Sequence, residues 1–164
     1  MSAPGRPKRE QVPKRDSAEG NSTPDVAVRR ARPEDVPRLA AWNAQLIRDE
    51  HNDAAAPPDE IEPRLRDWLA KDYVACVFEA DEIPFGYAIF RELHDCVHLR
   101  HFFVEAAFRR RGFGRCAFLH MRETFPRGKR VLVEVLVANA VGAAFWKSVG
   151  FEPRYLGMQL NPGE

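Results

Sequence analysis

The alternation of apolar and polar positions starts at Val26, where VAVRRA reads as a short strand. Pro33 followed by Glu34 and Asp35 then opens a helix, with proline in the first turn and acids at the positive end of the helix dipole. Val36, Leu39, Ala40, Asn43, Leu46 and Ile47 recur at helical spacing. A second amphipathic helix follows Pro57 and Pro58, with Ile61, Leu65, Trp68 and Leu69 on one face. Three apolar-rich segments come next: YVACVFEA (73–80), PFGYAIFREL (84–93) and CVHLRHFFV (96–104). Turns at Asp81 and Glu82, and at His94 and Asp95, make them consecutive antiparallel strands. Beyond a glycine-containing turn the pattern predicts a helix over 112–125, a strand RVLVEVLVA over 130–138, a helix from Asn139 to Gly150, and a last strand over 151–160. The order β-α-α-β-β-β-α-β-α-β is that of a mixed α/β domain.

Residues 1–25 fall outside this pattern. They hold four of the 13 prolines, no aromatic residue, and Val12 as the one β-branched apolar side chain. Such a segment buries too little surface to offset its ordering entropy, so the sequence predicts a disordered leader and a single domain over 26–164. The 25 Lys and Arg against 24 Asp and Glu leave a net charge of +1, without the basic surplus that nucleic acid or an anionic membrane would attract. No stretch approaches the roughly 20 apolar residues of a spanning helix, and no apolar signal region opens the chain, so the expected compartment is cytoplasmic. Cys76, Cys96 and Cys116 are odd in number, far apart, and form no C-x-x-C pair; they are expected to be reduced and buried, with no metal role.

The chemistry concentrates between Phe102 and Phe151. A strand runs into Arg109, Arg110, Arg111, Gly112, Phe113, Gly114 and Arg115, and a helix follows. Two glycines one residue apart let the backbone approach a ligand, and the helix N-terminus aims unpaired N–H groups at the same place. The arginines add charge and bidentate donors, so the stretch reads as a pyrophosphate cradle. Residues 112–117 also satisfy G-x-G-x-x-A, with Glu134 twenty positions beyond Gly114, as in a dinucleotide fold. Three intervening arginines, three preceding strands and too short a remaining chain argue against that fold. A Walker loop fails because no Gly-Lys-Ser/Thr follows.

Residues 109–114 match Q/R-x-x-G-x-G/A, the signature of the GNAT superfamily of acyl-CoA-dependent N-acyltransferases, which the chain resembles. A second block agrees: Val133, Glu134 and Val135 in a strand, then Asn139, Phe145, Trp146, and Gly150 with Phe151 closing the helix. The resemblance covers the domain from Val26 to Leu160. It implies a central, mostly antiparallel sheet with a splayed parallel strand pair and helices on both faces. It also implies acetyl-CoA as co-substrate and an amine as acceptor. On that basis Phe102, Phe103 and Val104 would pair with pantetheine, Arg109 through Arg115 would cradle the pyrophosphate, and Asn139 would contact the cofactor arm, a role compatible with capping the helix it precedes.

An acceptor amine of reference pKa near 10.4 is free base to about one part in a few thousand at pH 7, a penalty of roughly 4–5 kcal/mol that a base in the cleft would offset. Glu134 interrupts an apolar strand and matches the Glu that serves as base in one GNAT subgroup, so it is the expected catalytic base; an exposed strand face or an arginine partner is the plain alternative. Where the family commonly carries a tyrosine that reprotonates the thiolate, this chain has Trp146, expected to pack on pantetheine or donate to sulfur. Tyr155 on the expected last strand is the substitute acid. His94, His98 and His101 suggest a metal, but strand geometry puts His98 and His101 on opposite faces, so no metal is expected; His98, Arg100 and His101 would line the acceptor side. Asp49, Glu50, Asp53, Asp59, Glu60 and Glu62 would form an acidic rim suited to a cationic acceptor. Two readings stand: an N-acetyltransferase acting by direct amine attack, and an acyl-CoA sensor or interaction module left by loss of the usual acid. A homodimer is compatible with either.

Overall fold

The computed structural model describes residues 23–50 and 56–160. Most of the expected leader, together with Asp53 in the acidic rim, lies outside the described residues. The chain runs β1 (Ala27–Arg30), a 3-10 turn (Pro33–Asp35), α1 (Val36–Asp49), α2 (Pro58–Ala70), β2 (Tyr73–Ala80), β3 (Ile83–Glu92) and β4 (Cys96–Val104). A second 3-10 turn (Ala106–Phe108), α3 (Phe113–Glu123), β5 (Arg130–Val133) and α4 (Ala140–Ser148) complete it. The five strands form one sheet in chain order, antiparallel through β4 and parallel between β4 and β5. This is the expected mixed α/β architecture.

Alternation along the central strands sorts the core into two layers. Cys76 and Phe78 on β2 and Ala88 and Phe90 on β3 pack with Phe118 and Met121 of α3 and Trp146 of α4. Ala75 and Val77, with Tyr87 and Ile89, pack instead with Leu39 and Trp42 of α1 and Leu65 of α2. Period-2 strands thus feed two helical layers, one on each face. At the entry to α1 the Asp35 carboxylate accepts from Arg29 at 2.7 and 3.0 Å and from the Arg32 N–H at 2.8 Å, while Arg29 also donates to Glu79 at 2.8 Å. Arg29 chiefly, with the Arg32 amide, holds the Asp35 carboxyl below its ordinary value against the opposing effect of burial.

Two expectations are corrected. The strand expected over 130–138 pairs with β4 only at residues 130–133, because β4 turns away beyond Leu99. The last strand expected over 151–160 does not form: residues 151–160 make no ladder. Pro153 lacks the N–H a ladder needs and Gly157 weakens any strand it sits in, so the alternation of Tyr155, Leu156, Met158 and Leu160 has no backbone support. Those four side chains are 73–96% exposed.

Gly86 sits where β3 and β4 approach most closely: a Cβ there would lie 2.3 Å from the Phe103 carbonyl oxygen, a backbone atom that cannot rotate aside. Gly86→Ala should therefore cost about 1–3 kcal/mol, the range of core overpacking, read as a lowered midpoint in denaturant unfolding. An unchanged midpoint would show that the two backbones can part at no cost.

Candidate functional site

The site begins with one extra residue. Register between β3 and β4 runs Ile89 to His101 and then Phe90 to Leu99, so Arg100 is a β-bulge. The bulge reverses the phase of the strand: Val97 and Leu99 face the α3/α4 layer, and so do Phe102 and Val104 beyond it. Phe103 faces the α1/α2 layer, and His101, opposite Ile89, does too. Parallel pairing to β5 ends at Leu99 and Val133, whereas β4 continues to Val104. Residues 100–104 consequently present an edge that β5 does not cover, the splay anticipated for Phe102, Phe103 and Val104. Such an edge can accept an extended ligand as an added strand.

The end of that edge leads into the glycine loop. Gly112 has φ +86 and caps α3 with no side-chain hydrogen bond, leaving the helix N-terminus to the backbone N–H groups around Phe113 and Gly114. A Cβ at Gly114 would touch Phe145 at 3.4 Å and Val104 at 3.5 Å, so the glycine is where α3, α4 and β4 meet. The arginines divide their work. Arg109 donates through Nε to the Val104 carbonyl at 2.7 Å, pairs with Asp49, and lies 5.4 Å from the Phe103 ring. Arg115 donates to the Ser148 carbonyl at 2.7 Å, and Arg111 to that of Ala107 at 3.1 Å. Arg110 is exposed with φ +61, an unfavourable backbone for a side chain with a Cβ. Arg109 and Arg115 therefore brace the loop, and Arg110 and Arg111 are its solvent-facing charges.

Asn139 caps α4: its Oδ1 accepts from the Gly142 N–H at 2.8 Å, and its Nδ2 donates to Glu50 at 3.0 Å. Burial pushes the Glu50 carboxyl above its ordinary value, while the Asn139 hydrogen bond opposes the rise. Glu134 follows the last paired residue of β5, with its side chain 86% exposed and an oxygen 3.9 Å from His98 Nε2. Trp146 is 8% exposed and ringed by Phe102, Phe118, Phe145 and Phe151 at centroid distances of 4.9–5.5 Å, a core position. Tyr155 is 84% exposed on the unpaired segment, and no hydrogen bond among the described residues joins it to Glu134. The glycine loop, residues 100–104, Asn139 and Glu134 lie at or next to the ends of β4, β5, α3 and α4, while Tyr155 is exposed on a segment without a strand.

The sequence pattern of the Acetyltransferase (GNAT) family matches residues 39–151, more than half of the chain. The protein is a GNAT acetyltransferase. No curated protein matches its sequence. Among solved structures it is similar to the aminoglycoside N-acetyltransferase AAC(6')-Iy in complex with CoA, at 17% identity and a TM-score of 0.66, covering 84% of this chain and 95% of that one. An aminoglycoside acetyltransferase from an uncultured soil metagenomic sample, in complex with sisomicin, aligns at 13% identity and 0.65 over 84% and 97%. The PaiA N-acetyltransferase of Thermoplasma acidophilum in complex with coenzyme A aligns at 14% and 0.64 over 78% and 90%. These likenesses concern the fold.

On the α1/α2 face of this GNAT domain lies a buried polar cluster that sequence reasoning only partly anticipated. Tyr87, wholly buried, is hydrogen-bonded by Asn43 and lies 3.2 Å from His101 Nδ1. Burial raises the Tyr87 phenol far above its ordinary value, so it stays protonated. Burial first, then Arg100 and Arg64, depresses His101 to about 3, so the ring is neutral. Asn43 at a core spacing in α1 and His101 on the expected acceptor side were the sequence signals for this cluster. The opposite-face argument for His98 and His101 is corrected: the Arg100 bulge turns both toward α1 and α2. Among the described residues no three His, Cys, Asp or Glu stand together as a metal site. Of the acidic rim, Asp49 is bound to Arg109, Glu50 to Asn139 and Glu62 to Arg66, while Asp59 and Glu60 are exposed.

Asn139→Ala should lower stability by about 1 kcal/mol through loss of the cap, and Asn139→Ser should recover most of that. Both variants remove the hydrogen bond that favours ionised Glu50, so its carboxyl should titrate at higher pH in each, read by NMR. The pH dependence at His101 has a definite sign. The unfolded imidazole takes up a proton near 6.5 and the folded one only near 3, so stability falls as pH drops through that window. Equilibrium unfolding of His101→Gln should show a flatter acid limb between pH 6.5 and 4; an identical limb would mean that the ring is protonated in the folded protein.

Proposed function

We propose that the protein transfers the acetyl group of acetyl-CoA to a primary amine by direct attack, with no covalent enzyme intermediate. The single observation that carries this reading is the uncovered edge of β4 at residues 100–104, joined through one 3-10 turn to the Gly112 loop. An extended pantetheine would pair along that edge, and its pyrophosphate would meet the N–H groups at the start of α3, with Arg110 and Arg111 adding charge. The thioester would then lie near Arg100, where the strands part.

Glu134 stands beside that point and is open to water, so it is the residue we assign as base, taking the ammonium proton directly or through one water. The free amine attacks the thioester carbonyl carbon, the C–N bond forms, the C–S bond breaks to release a thiolate, and the second proton leaving nitrogen passes through water to that thiolate or to solvent. With a reference pKa near 8.5, a thiolate is a tolerable leaving group without a concerted acid. This matters because Trp146 carries no acidic proton for the step and is enclosed by four phenylalanine rings. Three free, buried cysteines are consistent with a reducing compartment, and we assign the protein to the cytoplasm.

Calorimetric titration with acetyl-CoA, followed by thiol release with a panel of amines, tests the assignment. Amine-dependent release is expected, and Glu134→Gln should lower kcat by about 10²-fold, the lower end for loss of a general base, with acetyl-CoA affinity kept within twofold. Binding without release from any amine would favour an acyl-CoA sensor. Absence of binding would overturn the cofactor assignment of the loop.

A further inference from the structure

Beside the splay, two guanidinium groups share one indole and have no counterion among the described residues. Arg64 on α2 lies 5.0 Å from the Trp68 ring centroid, and Arg100, the bulge residue, lies 4.8 Å from the same centroid. Neither forms an ion pair among the described residues, although Arg29, Arg66, Arg91, Arg109 and Arg130 all do. Among the described residues the buried Nε of Arg64 has no hydrogen-bond partner, and the side chain donates through Nη2 to neutral Asn43 at 3.3 Å. Glu60, one turn earlier on α2, is exposed and attracts Arg64 only from a distance.

Beyond the contacts with Trp68 and the Asn43 hydrogen bond, no anion offsets the two cations among the described residues. Burial and the charge of Arg100 both disfavour the Arg64 cation. A buried donor left unpaired is unfavourable. Neighbouring His101 is neutral and supplies no negative charge. An anion between the two groups would offset their charge, because a planar guanidinium fork matches a carboxylate. Trp68 stacks on Tyr73 at 5.0 Å and meets His101 at 5.7 Å, so the indole that carries both charges is fixed.

We propose that Arg64 and Arg100 bind a carboxylate of the acceptor, so that the amine substrate is an amino acid or another amine bearing a carboxylate rather than a polycation. The inference rests on the acetyltransferase reading above and names its substrate class. With the carboxylate on Arg64 and Arg100, the amine of the same molecule is directed toward the parting strands and Glu134.

Paired acceptors test it: amino acids against their own carboxamides, lysine against lysinamide and glycine against glycinamide, with phosphoethanolamine and an aminoglycoside alongside. For the preferred acceptor, the carboxylate form should show a kcat/KM at least tenfold above its carboxamide. Arg64→Gln should raise KM tenfold or more with kcat within about twofold, and the exposed Arg100→Gln should move it the same way. In both variants the ratio of carboxylate to carboxamide should fall toward one. Equal use of the two forms, or preference for the aminoglycoside or for phosphoethanolamine, would overturn the proposal while leaving acetyl transfer intact. A readout independent of turnover separates the two claims: N-acetyl amino acids titrated into the CoA-loaded protein should bind with their carboxylate free and not as amides. If thiol release fails with every amine yet this binding holds and Arg64→Gln abolishes it, the transfer reading fails and the carboxylate site stands. Failure of the binding as well removes the site.

Discussion

A strand that loses its neighbour must leave backbone donors and acceptors without a ladder, and this protein accepts that condition over five residues of β4. Everything around the cleft follows from it. The Arg100 bulge turns the strand away from β5, the turn exposes an edge between two packed layers, and the glycine loop continues from that edge into a helix N-terminus. Arg109 keeps the geometry from relaxing: it holds the Val104 carbonyl with Nε and Asp49 with its other end, so the exit of β4 is tied to the end of α1. Trp42 adds a second tie, donating to Glu105 at 2.8 Å.

The site is thus divided between two chemistries by one sheet. On the α3/α4 side, Phe102, Phe145, Trp146 and Phe118 form an apolar wall with little to donate. On the α1/α2 side, Tyr87, Asn43, His101 and Arg64 form a polar cluster whose members mostly satisfy one another. A carboxyl with a raised pKa, Glu50, stands where α1 and α4 meet, joined to the Asn139 cap.

Much of this was legible in the residues. The antiparallel strands and their turns were fixed by apolar alternation and by the Asp81–Glu82 and His94–Asp95 punctuation, and Asp81 and Glu82 indeed adopt positive φ. The glycine loop carried its own meaning, because Gly112 requires a left-handed backbone. The bulge was present in disguise: Val97 and Leu99 stand in one phase and Phe102 and Val104 in the other, a slip at Arg100 that reads as continuous strand unless the phase is followed. The acidic rim could not be judged from sequence, since Asp49 and Glu50 look solvated until Arg109 and Asn139, sixty and eighty-nine residues away, are folded against them. The last strand misled for a related reason: periodicity over 151–160 was real, but a strand is made by a partner, and Pro153 and Gly157 weaken the offer.

The bulge also has a meaning for how such a protein can change over time. Beyond Arg100, adjacent positions on one strand answer to different masters: 102 and 104 to the apolar layer of α3 and α4, 101 and 103 to the layer of α1 and α2. A point substitution can retune one set and leave the other untouched, so the chemistry of one face is free to drift while that of the other stays constant. Loss of the single inserted residue would instead exchange the two sets at once. The length of this strand is therefore a stricter inheritance than the identity of its side chains.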